Sequence, residues 1–303
     1  MPFFLMHAAE PPPTGELVDV GGRRLHLDCK GSGSPTVVVE NGGGSFSVEW
    51  ALFQPEIAKH TRICTYDRAG YAWSDPGPVV DGIEQITDDL RLLLRTARIQ
   101  PPYVFVGASL GCIYARAYQR RSPEDVAGLV FVDGTHDEGI SFMWNKASTP
   151  ISLLSREQLA TAHADYLRAA PKPAAGPADA YPLSRLPKDL QSVRHWALQK
   201  LILEVGRLPN SLAAAESWRQ EFTALRRQRL ASGPPLGALP LVVLERSDGA
   251  DESFHAKQAQ LAGLSSAGQL IKAERSGHMI HLYRPDLVIE AIRNVVAACQ
   301  KKH

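Results

Sequence analysis

Five consecutive residues, Gly107-Ala108-Ser109-Leu110-Gly111, read G-x-S-x-G. That pattern sets a serine at the apex of a sharp strand-to-helix turn, with glycines where backbone must approach closely. A serine hydroxyl so placed can attack an acyl carbonyl once a base takes its proton. The base in such sites is a histidine, oriented by a carboxylate. Of the ten histidines, His278 is the candidate, because it follows Ser276-Gly277 between the last strand signal and the last helix signal. His281 reads as its packing or hydrogen-bonding neighbour, His255 falls inside a predicted helix, and His303 ends the chain. For the acid, Asp248 is preferred, since it follows the apolar run 241–244 in Glu245-Arg246-Ser247-Asp248. Asp251 and Asp133, the latter closing the run 126–132, are the alternatives.

An acyl-transfer site also needs donors for the oxyanion that forms on the attacked carbonyl. Asn41-Gly42-Gly43-Gly44 follows a β-branched run at 36–40 and offers unshielded backbone N–H groups. Gly43 and the residue after the nucleophile, Leu110, are the expected donors, at roughly 3 kcal/mol each. Asp67 and Arg68 are read either as an ion pair that orients the site or as scaffold.

These residues need elements to hold them. Segments 15–21 and 23–30 read as two strands joined at Gly21-Gly22, and 36–40, 61–66, 103–106 and 126–132 as short strands. Near-continuous apolar runs of that length suit a parallel sheet buried on both faces. Ile83, Ile86, Leu90, Leu93, Leu94 and Ala97 recur at helical spacing after a capping-box-like Asp81 and Glu84, and Pro101-Pro102 stops that helix. The motif itself sits between the strand 103–106 and a helix over 110–121. Strands return at 241–244 and 269–273, and an amphipathic helix opened by Pro285 closes the chain. The alternation gives an α/β class with a doubly wound, mostly parallel sheet. Between them, 136–236 reads as helical, with candidates over 155–169, 188–205 and 211–230, a loose Pro/Ala stretch at 171–177, and no buried strand. The expected organisation is a disordered lead-in at 1–14, a core formed by 15–135 and 237–303, and a helical insertion at 136–236.

The 303 residues are 44% hydrophobic and 21% charged, with a net charge of +1. That is globular composition, and its near-neutral balance argues against a nucleic-acid partner. No apolar run of transmembrane length is present. Cys29, Cys64, Cys112 and Cys299 have no metal-ligand spacing and are expected to be buried free thiols, without a structural disulfide. No export signal is read in the first residues, so the cytoplasm is expected, with a truncated signal as the alternative.

Taken together, the chain from about 15 to 300 resembles the α/β-hydrolase superfamily, in its serine hydrolase branch with a helical cap. The resemblance rests on Val-Val-Val-Glu-Asn-Gly-Gly-Gly at 37–44, Tyr-Asp-Arg-Ala-Gly-Tyr-Ala-Trp-Ser-Asp-Pro at 66–76 and Gly-Ala-Ser-Leu-Gly at 107–111. It rests also on Leu-Val-Phe-Val-Asp at 129–133, Pro-Leu-Val-Val-Leu-Glu-Arg-Ser-Asp at 240–248 and Ser-Gly-His-Met-Ile-His at 276–281. Two positions depart from many relatives: Asn41 where they carry histidine, and Ala108 before the serine. Serine at 109, where epoxide hydrolases and haloalkane dehalogenases of this branch carry aspartate, argues against both of those activities. The resemblance implies an α/β-hydrolase fold and a triad of Ser109, Asp248 and His278 acting without metal or organic cofactor. The expected substrates are small to medium, fairly apolar carboxylic esters. Amide, lactone or C–C hydrolysis, perhydrolysis, and a non-enzymatic ligand receptor are the alternatives. Trp144 and Trp196 of the insertion, with Phe142 and Trp218, are candidates for lining the pocket. Neither the physiological substrate nor the oligomeric state is legible at this level.

Overall fold

The computed structural model describes residues 10–78, 82–169, 180–204 and 211–301. In chain order the strands are β1 (Glu16–Asp19), β2 (Arg24–Lys30), β3 (Thr36–Glu40), β4 (Ile63–Tyr66), β5 (Tyr103–Ala108), β6 (Val126–Val132), β7 (Ser141–Trp144), β8 (Ala147–Pro150), β9 (Leu241–Arg246) and β10 (Gly268–Ala273). The helices are α1 (Gln54–Ala58), α2 (Ile83–Thr96), α3 (Gly111–Arg121), α4 (Arg156–Ala169), α5 (Lys188–Glu204), α6 (Leu212–Arg229), α7 (Glu252–Ala262), α8 (Ile280–Tyr283) and α9 (Pro285–Gln300).

Eight strands form one sheet in the order β1-β2-β4-β3-β5-β6-β9-β10. β1 and β2 are antiparallel to each other, and β2 to β4, while every pairing from β4 to β10 is parallel. The β1–β2 turn is held by Asp19, whose Oδ1 accepts from the amides of Gly21 and Gly22, each at 2.8 Å. The central strands are buried on both faces, and their side chains alternate between two cores. Tyr103 and Phe105 of β5 face a core shared with Leu90, Leu93, Leu94 and Tyr118 of α2 and α3. Val104 and Val106 face the other, with Ile57 of α1 and Val288, Ile292 and Val295 of α9. Period-two alternation between two apolar layers is why these strands read as unbroken hydrophobic runs.

Among its described residues, the segment between β6 and β9 adds no strand to this sheet. It holds α4, α5 and α6, at the predicted helical positions, and a separate hairpin of β7 and β8. The hairpin is not among the expected elements, but its strands are mostly exposed or half-buried, in keeping with the expectation of no buried strand here. Its two turn residues, Asn145 and Lys146, both have positive φ, 48° and 64°. A two-residue turn of that kind is normally signalled by Asn-Gly or Asp-Gly, and the lysine conceals it. Residues 171–177 and Asp81 lie outside the described residues; Gly82 occupies the N-cap of α2. Of the expected lead-in at 1–14, 1–9 lie outside them too, whereas Pro11 O accepts from Trp73 Nε1 at 2.7 Å and Thr14 Oγ1 lies 3.4 Å from His26 Nε2.

Cys29 and Cys64 form a disulfide, correcting the expectation of four free thiols. They sit opposite each other in the β2–β4 register. Their separation of 35 residues carried no pairing signal; the bond depends on β4 lying beside β2 although β3 intervenes in sequence. Cys112 is a buried free thiol, and Cys299, also buried, donates its thiol to Ala127 O at 3.2 Å. Among the described residues, no helix is long and apolar enough to cross a membrane.

Candidate active site

Ser109 stands on the turn between β5 and α3 with φ +51°, a left-handed backbone that side chains rarely adopt. Both motif glycines are required by sterics. A Cβ on Gly111 would lie 2.0 Å from the Glu40 carbonyl oxygen, and one on Gly107 would lie 2.7 Å from backbone atoms of Gly111 and Cys112. The turn is pinned to the neighbouring strand: the Ser109 amide donates to Val132 O at 3.0 Å, and the Thr135 amide donates to Ser109 O at 3.0 Å. Those bonds bracket Asp133, so the serine and this aspartate occupy adjacent strand ends. Asp133 also has a positive φ, +50°. Cys112, three residues after the serine, donates its thiol to Gly107 O, and burial pushes that thiol far above its usual range.

His278 Nδ1 is hydrogen-bonded to Asp133 Oδ2, and its ring is about half exposed while the carboxylate is fully buried. This overturns the preference for Asp248. That carboxylate accepts from the Ser247 hydroxyl at the surface, at 2.8 Å. What the end of β9 sends toward Asp133 is a cation: Arg246 donates its amide to Oδ1 at 3.1 Å and Nη1 to Oδ2 at 2.5 Å, with its guanidinium over the Phe254 ring. Beyond it the chain turns to lace the histidine loop in place. The amides of Ser247 and Asp248 donate to Ser276 O, at 3.1 and 3.0 Å, and the Ser276 amide donates back to Ser247 Oγ. Asp251 caps α7 through the Phe254 amide at 2.7 Å, and His255 in α7 pairs with Glu245.

The glycine loop after β3 lies against the serine. A Cβ on Gly42 would be 3.3 Å from Ser109 Cβ, and one on Gly43 would be 2.9 Å from Leu110 Cδ1. Among the described residues, no acceptor of the chain takes the amides of Gly42, Gly43 or Leu110. Asn41, the departure from His-Gly, is tied on both sides: its Nδ2 donates to Tyr66 O at 2.8 Å, and its Oδ1 accepts from Trp50 Nε1 at 2.5 Å. Asp67 and Arg68 are engaged with different partners. Asp67 accepts from the amide and hydroxyl of Ser47 and pairs with buried His26, while Arg68 donates to the carbonyls of Asn41 and Gly42. Beneath the loop, Glu40 is fully buried beside Tyr66. Burial raises its carboxyl to about 7, opposed by the Arg68 charge and the Tyr66 hydroxyl.

The alpha/beta hydrolase family model matches residues 37–291, a span that takes in the glycine loop, the serine turn and the histidine loop. The chain belongs to the alpha/beta hydrolase family. It is 26% identical to a probable transporter of Hormonema carpetanum over 94% of its own length and 43% of that protein's, so it spans less than half of that relative. It is 25% identical to the uncharacterized protein YqjL of Bacillus subtilis over 90% of this chain and 88% of that one. Among solved structures, the enol-lactonase of Burkholderia xenovorans LB400 shares the fold, with a TM-score of 0.63 and 19% identity over 93% of this chain and all of that one.

In this alpha/beta hydrolase the segment between β6 and β9 reaches the site from two sides. Trp144, half-buried, joins an apolar cluster with Phe142, Ile113, Tyr114, Trp218 and Leu110, the neighbour of the serine. Phe142 and Trp218 are themselves buried in that cluster. Trp196 lies elsewhere, against Trp73 at 5.7 Å and in a cluster with Phe46. On the same helix, Arg194 Nε donates to buried Glu49 at 2.9 Å, just after the glycine loop. His281 stacks on Trp50 and approaches the other Glu49 oxygen at 3.7 Å, which fits its reading as a packing neighbour of the histidine loop. Burial pushes the Glu49 carboxyl up, but His281 and Arg194 outweigh it and hold the group below its ordinary value.

Proposed function

We propose that the chain is a serine hydrolase that cleaves small to medium, fairly apolar carboxylic esters through an acyl-enzyme on Ser109. The observation that carries this reading is the apposition of two strand ends. One offers Ser109 on a strained strand-to-helix turn, and the other offers Asp133 bonded to His278 Nδ1. With Nδ1–H on the carboxylate, His278 keeps Nε2 as a proton acceptor. Ser109 Oγ attacks the ester carbonyl and gives its proton to Nε2. The Gly43 and Leu110 amides receive the oxyanion, and the leaving alcohol departs with the proton from Nε2. Water then repeats the sequence and releases the acid. In this reading Asp133, not Asp248, holds the imidazole. The segment 136–236 acts as a cap, with Trp144, which packs with Leu110, lining the acyl pocket, whereas the expected Trp196 packs on Trp73 instead. Lactones, which are cyclic esters, pass through the same steps, and the likeness to an enol-lactonase favours including them among substrates.

A panel of p-nitrophenyl esters of graded acyl length, with lactones, tests the reading, together with labelling by a fluorophosphonate probe. Turnover and labelling by wild type, both abolished in Ser109→Ala, are expected. A folded wild-type protein that neither labels nor turns over any member of the panel overturns it.

A further inference from the structure

We propose that Arg68 is the positioning residue of the oxyanion site: by gripping the carbonyls of Asn41 and Gly42, it fixes the glycine loop so that the Gly43 amide is aimed at the carbonyl oxygen held over Ser109. The inference rests on the acyl-transfer reading above. Arg68 is buried, and its two terminal nitrogens serve successive carbonyls, Nη1 to Asn41 O at 2.7 Å and Nη2 to Gly42 O at 2.8 Å. Its guanidinium is held between two aromatic rings, 4.4 Å from the centroid of Tyr71 and 5.0 Å from that of Tyr114.

In a planar trans peptide the C=O and the following N–H point in opposite directions. Fixing Asn41 O therefore fixes the Gly42 N–H, and fixing Gly42 O fixes the Gly43 N–H, both turned away from the guanidinium. The serine turn borders the loop at this point, since a Cβ on Gly42 would lie 3.3 Å from both Ser109 Cβ and Ala108 O. Three successive glycines would otherwise sample many conformations, whereas an oxyanion site works because its donors are already oriented when charge develops. A planar fork with parallel donors can hold two adjacent peptide units in one orientation; an ammonium is a point charge without that geometry.

The test uses the full-length enzyme and its Arg68→Met and Arg68→Lys variants on the best p-nitrophenyl ester. Active sites are counted by end-point fluorophosphonate titration, and binding of a trifluoromethyl ketone serves as the tetrahedral mimic. Per titrated site, Arg68→Met is expected to lose about 10²–10³-fold in kcat, with KM within a few-fold of wild type. Affinity for the ketone should fall in parallel, with partial recovery in Arg68→Lys. Wild-type kcat and ketone affinity per titrated site in Arg68→Met would overturn the inference and leave the hydrolase reading intact. If the Met variant does not fold, the Lys variant decides alone: lowered kcat and ketone affinity support the clamp, and unchanged values overturn it. A wild type that turns over no ester removes both readings together.

Discussion

The Asp133 carboxylate serves three donors at once, with the His278 ring and the Arg246 guanidinium on the same oxygen and the Arg246 amide on the other. Such a network fixes the carboxylate's direction, and through it the tautomer of the imidazole. Replacing Asp133 by asparagine keeps the shape but lets an amide NH₂ face Nδ1, favouring the wrong tautomer. Asp133→Asn is therefore expected to lower kcat by about 10⁴-fold, the scale seen for this change in other triads, whereas Asp248→Asn should stay within a few-fold of wild type. Steady-state kinetics on a p-nitrophenyl ester checks both. The sequence pointed to Ser109 and His278 because local pattern alone identifies a turn and a loop. It did not separate Asp133 from Asp248, since each follows an apolar strand. What separates them is sheet register, which places Asp133 beside the serine turn and fills the end of β9 with Arg246.

At the scale of elements, most strands and helices were legible, because two buried faces impose their own periodicity. The exceptions depend on partners remote in sequence or on an atypical turn: the β7–β8 hairpin with its Asn145-Lys146 turn, and the Cys29–Cys64 bond across β2 and β4. That bond closes a loop of 35 residues containing β3 and the glycine loop. By chain entropy it should stabilise the fold by about 4 kcal/mol. A Cys29→Ser/Cys64→Ser double variant should show that loss in urea unfolding, and reductant should lower the wild-type transition without affecting the variant's. Two free thiols in the unfolded, unreduced wild type are expected; four would contradict the bond.

At the scale of the whole molecule, Glu40 links stability to pH. Burial raises its carboxyl from 4.5 to about 7 in the folded protein. Between those values the folded chain holds a proton that the unfolded chain has lost, so stability falls as pH rises through that window and levels off above it. The drop amounts to about 3 kcal/mol. Glu40→Gln mimics the protonated acid and can still accept from Tyr66. The difference in urea-unfolding free energy between pH 5 and pH 8 should be smaller in this variant by about that amount. An equal difference in both proteins would show that Glu40 does not titrate there.

The parallel register of β6 and β9 has an engineering consequence. Val132 lies level with Leu244, and Leu129 with Leu241. After leaving the C-terminal end of β6, the chain must travel back across a sheet face before β9 can begin; α6 runs antiparallel to α3, with Glu221 on Arg120 and Leu225 O on Arg116, and ends beside Asp137 and Glu138, so the stretch 230–240 makes that return. Residues 133–240 are thus a detour and a mandatory return path together. Cutting them out whole would leave two parallel strands without the crossover of a dozen or more residues that such a pair needs. Transplants of this region between relatives should therefore leave the stretch 230–240 to its host.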